Sequence, residues 1–301
     1  MANEYFYSKS GTGRRNGDSR QGGSAATNTI IVLLAVIAMT GIVATVALIS
    51  QIRAQHEQRA EQAAQAFMNS TGTSGPAALV RAASDGRSEL VKYFISRGLD
   101  PNAPDHIGHT ALIEAVKNDH ADCVKSLIAS GARVNTRDAD GMTALLRAST
   151  YSNLDCMRFL IASGADVNAK TNPDVEGVVF SSTPLIVAGS SGNEVCVKYL
   201  VEHGADVNAK NDLGGTALLY AAASGSVECV RILIAHGADV NAKANDGNTA
   251  LMAAKDYPDV VALLRASGAQ GVFDANRGTL SAPHIQDIQV TGHYAPSSPD
   301  R

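Results

Sequence analysis

Apolar residues recur along residues 76–270 with helical spacing that stops and resumes at a regular interval. In most of the units a threonine opens a short apolar stretch, a polar turn follows, and a second apolar stretch ends at a glycine. The closing glycines are Gly98, Gly131, Gly164, Gly204, Gly237 and Gly268. A period of about 33 residues is typical of stacked repeat arrays. The pattern predicts an all-α solenoid of six units, each made of helix, turn, helix and loop.

The opening threonines predict where the first helix of each unit begins. They are Thr110, Thr143, Thr183, Thr216 and Thr249. A threonine hydroxyl accepts a hydrogen bond from a free amide in the first helical turn, which makes threonine a good N-cap. Each closing glycine is expected to end the second helix, because glycine adopts the left-handed cap conformation without steric cost.

The units at the two ends and the fourth unit depart from the pattern. The first unit begins at Ala77 without the threonine, and the last is shortened by two residues between its helices. The fourth is lengthened by seven residues in the segment 171–182, which contains Val178, Val179 and Phe180. Insertions in repeat arrays often lie on the binding face. Two interpretations stay open: Phe180 contacts a partner, or it folds back onto its own array.

The amino-terminal part has a different composition. Residues 1–29 are rich in Gly, Ser and Asn and are predicted to be disordered. Residues 30–52 carry no charge and match the length of a transmembrane helix. A buried core helix and a cleaved signal peptide are the alternatives. Residues 53–75 are predicted to form a helical stalk and linker, and residues 271–301 a disordered tail.

Charges beside the apolar segment indicate an orientation. Before it stand Lys9, Arg14, Arg15 and Arg20, and after it Arg53 and Arg59 beside acidic residues. The positive-inside rule then predicts a cytoplasmic amino terminus and a periplasmic or extracellular array. Free cysteines favour the opposite orientation, since exported proteins usually pair or avoid them. Gly41 and Thr45 are small residues four apart, a weak sign of self-association through the apolar helix.

Charge and cysteine content limit the function classes. The net charge is −4 and the pI is about 6.0, whereas a nucleic-acid-binding protein normally carries a basic face. One cysteine stands at the same place in each of four units: Cys123, Cys156, Cys196 and Cys229. Metal binding or redox sensing is one interpretation. Small buried hydrophobic residues are the favoured one.

The sequence motifs of the units resemble those of the ankyrin repeat. The resemblance rests on Thr183-Pro184-Leu185, on the Thr-Ala-Leu variants that begin at 110, 143, 216 and 249, and on Gly-Ala-Asp-Val-Asn-Ala at 164, 204 and 237. It covers about residues 75–270. One departure is consistent: an aliphatic residue or methionine replaces the histidine that the family carries three residues after the threonine. The hydrogen bond from that histidine to the threonine is therefore not expected here.

The resemblance implies that loop tips and the exposed face of the first helices contact a protein partner. The corresponding positions in this chain are Asp105, His106, His109, Lys117, Asn118, Asp138, Asp140, Met142, Thr150, Tyr151, Asp212 and Leu213. Interface centres are enriched in tyrosine and arginine. Tyr151 and Tyr220 are therefore candidate anchors, and Arg147 lies one helical turn from Tyr151. Solvated loop tips without a partner are the alternative.

The sequence contains no recognisable set of catalytic residues. It contains no phosphate-binding loop, nucleophile elbow or HExxH motif. Asp105, His106 and His109 share one loop, but a third fixed ligand is missing, so no metal or other cofactor is predicted. The sequence thus predicts a membrane-tethered recognition module that binds another protein and is not an enzyme. The competing hypothesis is an assembly subunit that docks into a larger membrane complex through its apolar helix.

Overall fold

The computed structural model of the chain describes residues 22–172 and 181–271, and for residues 22–38 it describes the backbone alone. The chain divides into two units, Met1–Arg59 and Ala60–Arg301. Helix α1 (Gly22–Thr71) contains most of the first unit and continues into the second. The predicted disordered tails lie outside the described residues, except for residues 22–29 at the start of α1 and residue 271.

Two helices form each of the six units, as predicted. The first helices, called inner here, are α2 (Gly75–Ser84), α4 (Ala111–Lys117), α6 (Ala144–Tyr151), α8 (Pro184–Ser190), α10 (Ala217–Ala223) and α12 (Ala250–Ala253). The second helices, called outer, are α3 (Ser88–Ser96), α5 (Ala121–Ala129), α7 (Leu154–Ala162), α9 (Glu194–Glu202), α11 (Val227–Ala235) and α13 (Pro258–Ala266). Inner helices pack against neighbouring inner helices, and each packs against its own outer helix. No strand occurs in the described ranges, which hold only isolated bridges such as Arg137–Thr143.

The opening threonines cap the inner helices, as the sequence predicts. Thr143 has extended backbone angles, and its hydroxyl accepts a hydrogen bond from the amide of Leu146 at 3.3 Å. The other four opening threonines accept from the residue three positions on in the same way. The aliphatic residues that replace the expected histidine, such as Leu146 and Leu219, are buried in the core. Apolar packing of these side chains thus replaces the hydrogen bond that the histidine would make to the threonine.

The core is a continuous column of small apolar side chains between the inner and outer helices. All four cysteines belong to it, are fully buried and are free thiols. Burial raises the pKa of Cys156 to about 12 and the pKa of Cys123 and Cys196 to about 11. A buried thiol with a raised pKa carries little reactive thiolate at neutral pH. The interpretation as buried hydrophobic residues is confirmed.

The last part of the predicted stalk, residues 60–71, packs against the first repeat and is not a spacer. Ala64 and Phe67, on the part of α1 that belongs to the second unit, are buried in the same core as the repeats. The Phe67 ring lies 6.4 Å from the ring of Phe94 on α3, centroid to centroid. Residues 60–71, called the cap segment below, therefore cover the open side of the first repeat. A spacer between membrane and array would leave these apolar side chains in water.

An asparagine ladder joins successive units along their loops. Asn135 donates from Nδ2 to the carbonyl of Gly164 at 3.1 Å, and its Oδ1 accepts from the amide of Asp166 at 2.9 Å. Asn102, Asn168, Asn208 and Asn241 make the same pair of bonds to the next closing glycine and to the residue two beyond it. Each asparagine thereby satisfies a carbonyl and an amide that the end of the neighbouring outer helix leaves free.

No helix in the part of the chain that the structure describes is both long and apolar enough to cross a membrane. The predicted membrane segment, residues 30–52, is helical throughout as part of α1. Its side chains before Met39 lie outside those described.

Candidate functional site

The loops between units form tips, and in three of the described tips one polar side chain organises the backbone. In the second unit, Asp105 Oδ1 accepts hydrogen bonds from the amides of Ile107 at 3.0 Å and His109 at 2.9 Å. Asp138 and Asn211 occupy the equivalent position in the third and fifth units, and each accepts from two amides of its own tip. Asp105 and Asp138 were predicted to contact a partner. The Oδ1 atom of each holds the backbone of its tip, and Asp105 is half-exposed.

A buried ion cluster links the third tip to its inner helix. The Arg147 side chain is only 2% exposed, and its Nε donates to Asp138 Oδ2 at 2.8 Å. Its Nη2 also pairs with Asp140, whose side chain is 54% exposed. Buried charges require such pairing, because desolvating an unpaired charge is costly. Arg147 is therefore a structural side chain of this tip, and the expectation that it contacts a partner is corrected.

Two more predicted contact residues are buried. Tyr220 occupies the same place in the fifth unit as Arg147 in the third, and Asn211 Nδ2 donates to its hydroxyl at 2.8 Å. Burial raises the pKa of Tyr220. Met142 is buried in a small cluster with Leu146 and Val187. Neither Tyr220 nor Met142 reaches the surface, so their proposed contacts with a partner are corrected as well.

The other predicted residues lie at or near the surface. Tyr151, at the end of α6, is 41% exposed, and His106 and Asp212 are exposed at their tips. Leu213 and Thr150 are half-buried, and the Thr150 hydroxyl donates to the Leu146 carbonyl at 3.0 Å. Phe180 lies outside the described residues, so both interpretations of the insertion stay open.

The second unit carries a polar cluster at its surface. Glu114, which is almost buried, contacts Lys117 Nζ at 2.7 Å and His109 Nδ1 at 3.3 Å. Asn118 donates from Nδ2 to the Ser84 hydroxyl at 3.2 Å and to the Glu114 carbonyl at 2.9 Å. Lys117, His109 and Asn118 are thus half-buried and held in place, and each keeps part of its side chain exposed.

Outside the outer helices, the sequence reasoning missed the exposed apolar side chains of Ile107 and Tyr257. Ile107, at the tip organised by Asp105, is 55% exposed. Tyr257 is 40% exposed and packs over Gly225, where a Cβ would collide with the Tyr257 ring. Tyr257 follows Thr249 by the same eight residues by which Tyr151 follows Thr143. This shared spacing could have identified Tyr257 as the counterpart of Tyr151, but the shortened last unit concealed it.

The site has the chemistry of a binding surface. Among the described residues, no group of three or more His, Cys, Asp or Glu side chains could hold a metal ion. His106 and His109 therefore share a loop without a third ligand. Exposed apolar side chains at Ile107, Tyr151 and Tyr257 stand beside polar groups on helix ends and braced tips. This mixture is characteristic of protein interfaces, in which aromatic anchors are surrounded by polar contacts.

Comparison with known proteins identifies the class. The family described as "Ankyrin repeats (3 copies)" matches residues 79–171, 139–211, 169–244 and 185–273. The chain belongs to the ankyrin repeat family, whose repeats generally mediate protein–protein interaction. No curated protein sequence matches the chain.

Two solved structures are similar to this chain. The human ASB11 ankyrin repeat domain has 27% sequence identity and a TM-score of 0.58, over 69% of this chain and 95% of that one. An ankyrin repeat domain from Acinetobacter baumannii AYE has 30% identity and a TM-score of 0.57, over 64% of this chain and 98% of that one. Both similarities extend to the full repeat domains of the relatives.

Proposed function

We propose that this chain is a membrane-tethered recognition module that binds another protein through its inner-helix face and loop tips and catalyses no reaction. The observation that carries the proposal is the exposure of Tyr151 at the end of inner helix α6 and of Ile107 at the tip organised by Asp105; Tyr257 is exposed in the turn before α13. Each of these large side chains leaves much of its apolar surface in water. Exposed aromatic and aliphatic side chains beside polar groups are typical of interaction surfaces.

The supporting elements favour tight recognition. Tyr151 extends from α6, whose other side is buried, and the Asp105 side chain holds the backbone of the Ile107 tip. Contact residues on braced elements lose little conformational entropy on binding, which increases affinity. His106, Asp140 and Asp212 are exposed beside them and supply polar groups for specificity.

Photo-crosslinking tests this surface. A photoreactive amino acid placed at Tyr151 or Ile107 of the full chain, in cells of its source organism, is expected to yield a discrete heavier adduct. Phe159, on outer helix α7, is the matched control because it is also large, apolar and 36% exposed. Placement there is expected to yield no adduct of that mass. Adducts of equal yield from all three positions, or adducts from Phe159 alone, would contradict the proposed surface.

The membrane tether is part of the proposal and rests on the uncharged sequence of residues 30–52. A helix of about 20 apolar residues matches the hydrocarbon thickness of a bilayer. We further propose a cytoplasmic amino terminus and a periplasmic or extracellular array, from the basic residues that precede the segment.

Protease protection tests the orientation. With a carboxy-terminal tag on the full chain, an impermeant protease is expected to remove the tag once the outer barrier is opened. A tag that stays protected until the membrane bearing the span is lysed would place the array in the cytoplasm and reverse the orientation. Fully lysed samples serve as the control for access to the tag.

Assembly through the apolar helix is the second candidate. Among the described residues, no atom lies within 4 Å of a Cβ built at Gly41, which leaves room for the close approach of another helix. Replacing residues 30–52 with an unrelated apolar helix distinguishes the candidates. Recognition by the array should keep the Tyr151 adduct, whereas assembly through the span should lose it.

A further inference from the structure

The stacking of the outer helices is interrupted between the third and fourth units. Along the described array, four neighbouring pairs of outer helices pack closely: α3 with α5, α5 with α7, α9 with α11, and α11 with α13. Helices α7 and α9 are the exception, although they belong to consecutive units. This junction is also where the sequence carries the insertion 171–182.

The inner side of the same junction is intact. Helices α6 and α8 pack together as closely as other neighbouring inner helices. The base of the insertion is closed by two bonds: Thr171 N donates to the Ser182 carbonyl at 3.0 Å, and Ser182 N donates to Thr171 Oγ1 at 2.8 Å. The asparagine ladder also continues from the third unit to the fourth, since Asn168 Oδ1 accepts a hydrogen bond from Asp206 N at 2.8 Å. The inner helices and the loops thus stay joined across the junction, and the difference is confined to the packing of the outer helices.

Across the outer side, side chains span the gap in place of helix packing. The Arg158 guanidinium of α7 lies 6.0 Å from the centre of the Tyr199 ring on α9. Tyr199 stays half-buried, and Arg158 is largely exposed. A largely exposed cation over a half-buried ring contributes less than buried apolar packing between helices. Direct packing between neighbouring outer helices is therefore weakest at this junction.

We propose that the array contains a built-in breakpoint between the third and fourth units and opens there as two cooperative blocks. The first block is residues 60–172, which includes the cap segment, and the second is residues 181–271. In repeat arrays stability is a sum of unit and neighbour-interface contributions, so the weakest interface separates first. The breakpoint lies in the middle of the inner-helix face, and it allows the two halves of that face to change their mutual angle.

The buried cysteines report on each block separately. Cys123 and Cys156 lie in the first block, Cys196 and Cys229 in the second, and all four are fully buried. Trypsin places each in a different peptide, because a lysine or arginine stands between every consecutive pair. Alkylation of the native thiols is prevented by burial, and therefore each cysteine is labelled only when its own block opens.

Pulsed alkylation of the full chain with N-ethylmaleimide across a urea series tests the proposal. The labelling midpoints are expected to fall into two groups, Cys123 with Cys156 and Cys196 with Cys229, whichever block opens first. A single midpoint shared by all four cysteines would overturn the breakpoint. So would a largest step between any other pair of neighbouring cysteines.

A matched pair of variants tests where the step arises. Arg158→Ala removes the cation–π contact between α7 and α9 at the junction. Lys125→Ala removes the equivalent contact inside the first block, where the ammonium lies 6.0 Å from the Phe159 ring centre. Arg158→Ala is expected to widen the separation of the two groups by about 0.3 M urea. Lys125→Ala should leave it unchanged, and equal separations in both variants would overturn the assignment.

Discussion

Replacing Asp138 by asparagine is expected to lower the free energy of unfolding by about 3 kcal/mol, because it leaves the buried Arg147 charge without its main partner. Both side chains are only 2% exposed, and Nε of Arg147 donates to Asp138 at 2.8 Å. Asparagine keeps an oxygen for the two tip amides, so the substitution changes the charge and preserves the loop bonds. Urea unfolding of the full chain followed by circular dichroism measures the effect.

Asp140→Asn is the matched control for this cluster. Asp140 pairs with the same guanidinium, but its side chain is 54% exposed and stays hydrated. Its loss is expected to cost less than about 1 kcal/mol, the usual range for exposed ion pairs. The double variant Asp138→Asn with Arg147→Met should recover most of the stability, since it removes the unpaired charge. Equal destabilisation by Asp138→Asn and Asp140→Asn would contradict the assigned role of burial.

Replacing Phe67 by alanine is expected to destabilise the array by about 3 kcal/mol, because it removes a buried aromatic side chain and leaves a cavity beside Phe94. The two rings are 6.4 Å apart and both are buried in the repeat core. The midpoint of urea unfolding should fall, and Cys123, in the neighbouring unit, should be alkylated at lower urea than in the unchanged chain.

Two further variants on the cap segment control for a general effect of mutation. Gln62→Ala changes an exposed position on the same helix and should alter stability by less than about 0.5 kcal/mol. Phe67→Leu keeps most of the apolar volume and should retain most of the stability. A loss below about 1 kcal/mol for Phe67→Ala would show that residues 60–71 are not a cap, since buried aromatic truncations cost about 3–5 kcal/mol.

The repeat architecture was predictable because its signals are local. The hydroxyl of Thr143 caps a helix through an amide three residues away, and Gly164 has the positive φ of a left-handed cap. The repeated position of Cys156 and its counterparts on the apolar side of the outer helix predicted their burial. These contacts join residues within one unit or one helical turn, so they can be predicted from the sequence alone.

The candidate surface was predictable only in part. Tyr151 is exposed as expected, whereas Tyr220, from the same reasoning, is buried against Asn211. Tyr220 lies four residues after its opening threonine, where the tip residue Asn211 contacts it, whereas Tyr151 lies eight residues after its threonine at the end of the helix. Ile107 was missed because exposure is a property of the surroundings as well as of the residue, and Tyr257 because the shortened last unit concealed its register.

The sequence by itself determined the number of units, the helix caps, the positions of the closing glycines and the burial of the cysteines, because periodic apolar patterns and capping chemistry act over short distances. Only the tertiary structure decided that Arg147 is an internal ion-pair partner, that Phe67 caps the first repeat, and that the outer helices separate between the third and fourth units. Those outcomes depend on contacts between residues that are far apart in the chain or on different elements. Their strength is set by desolvation and packing in three dimensions.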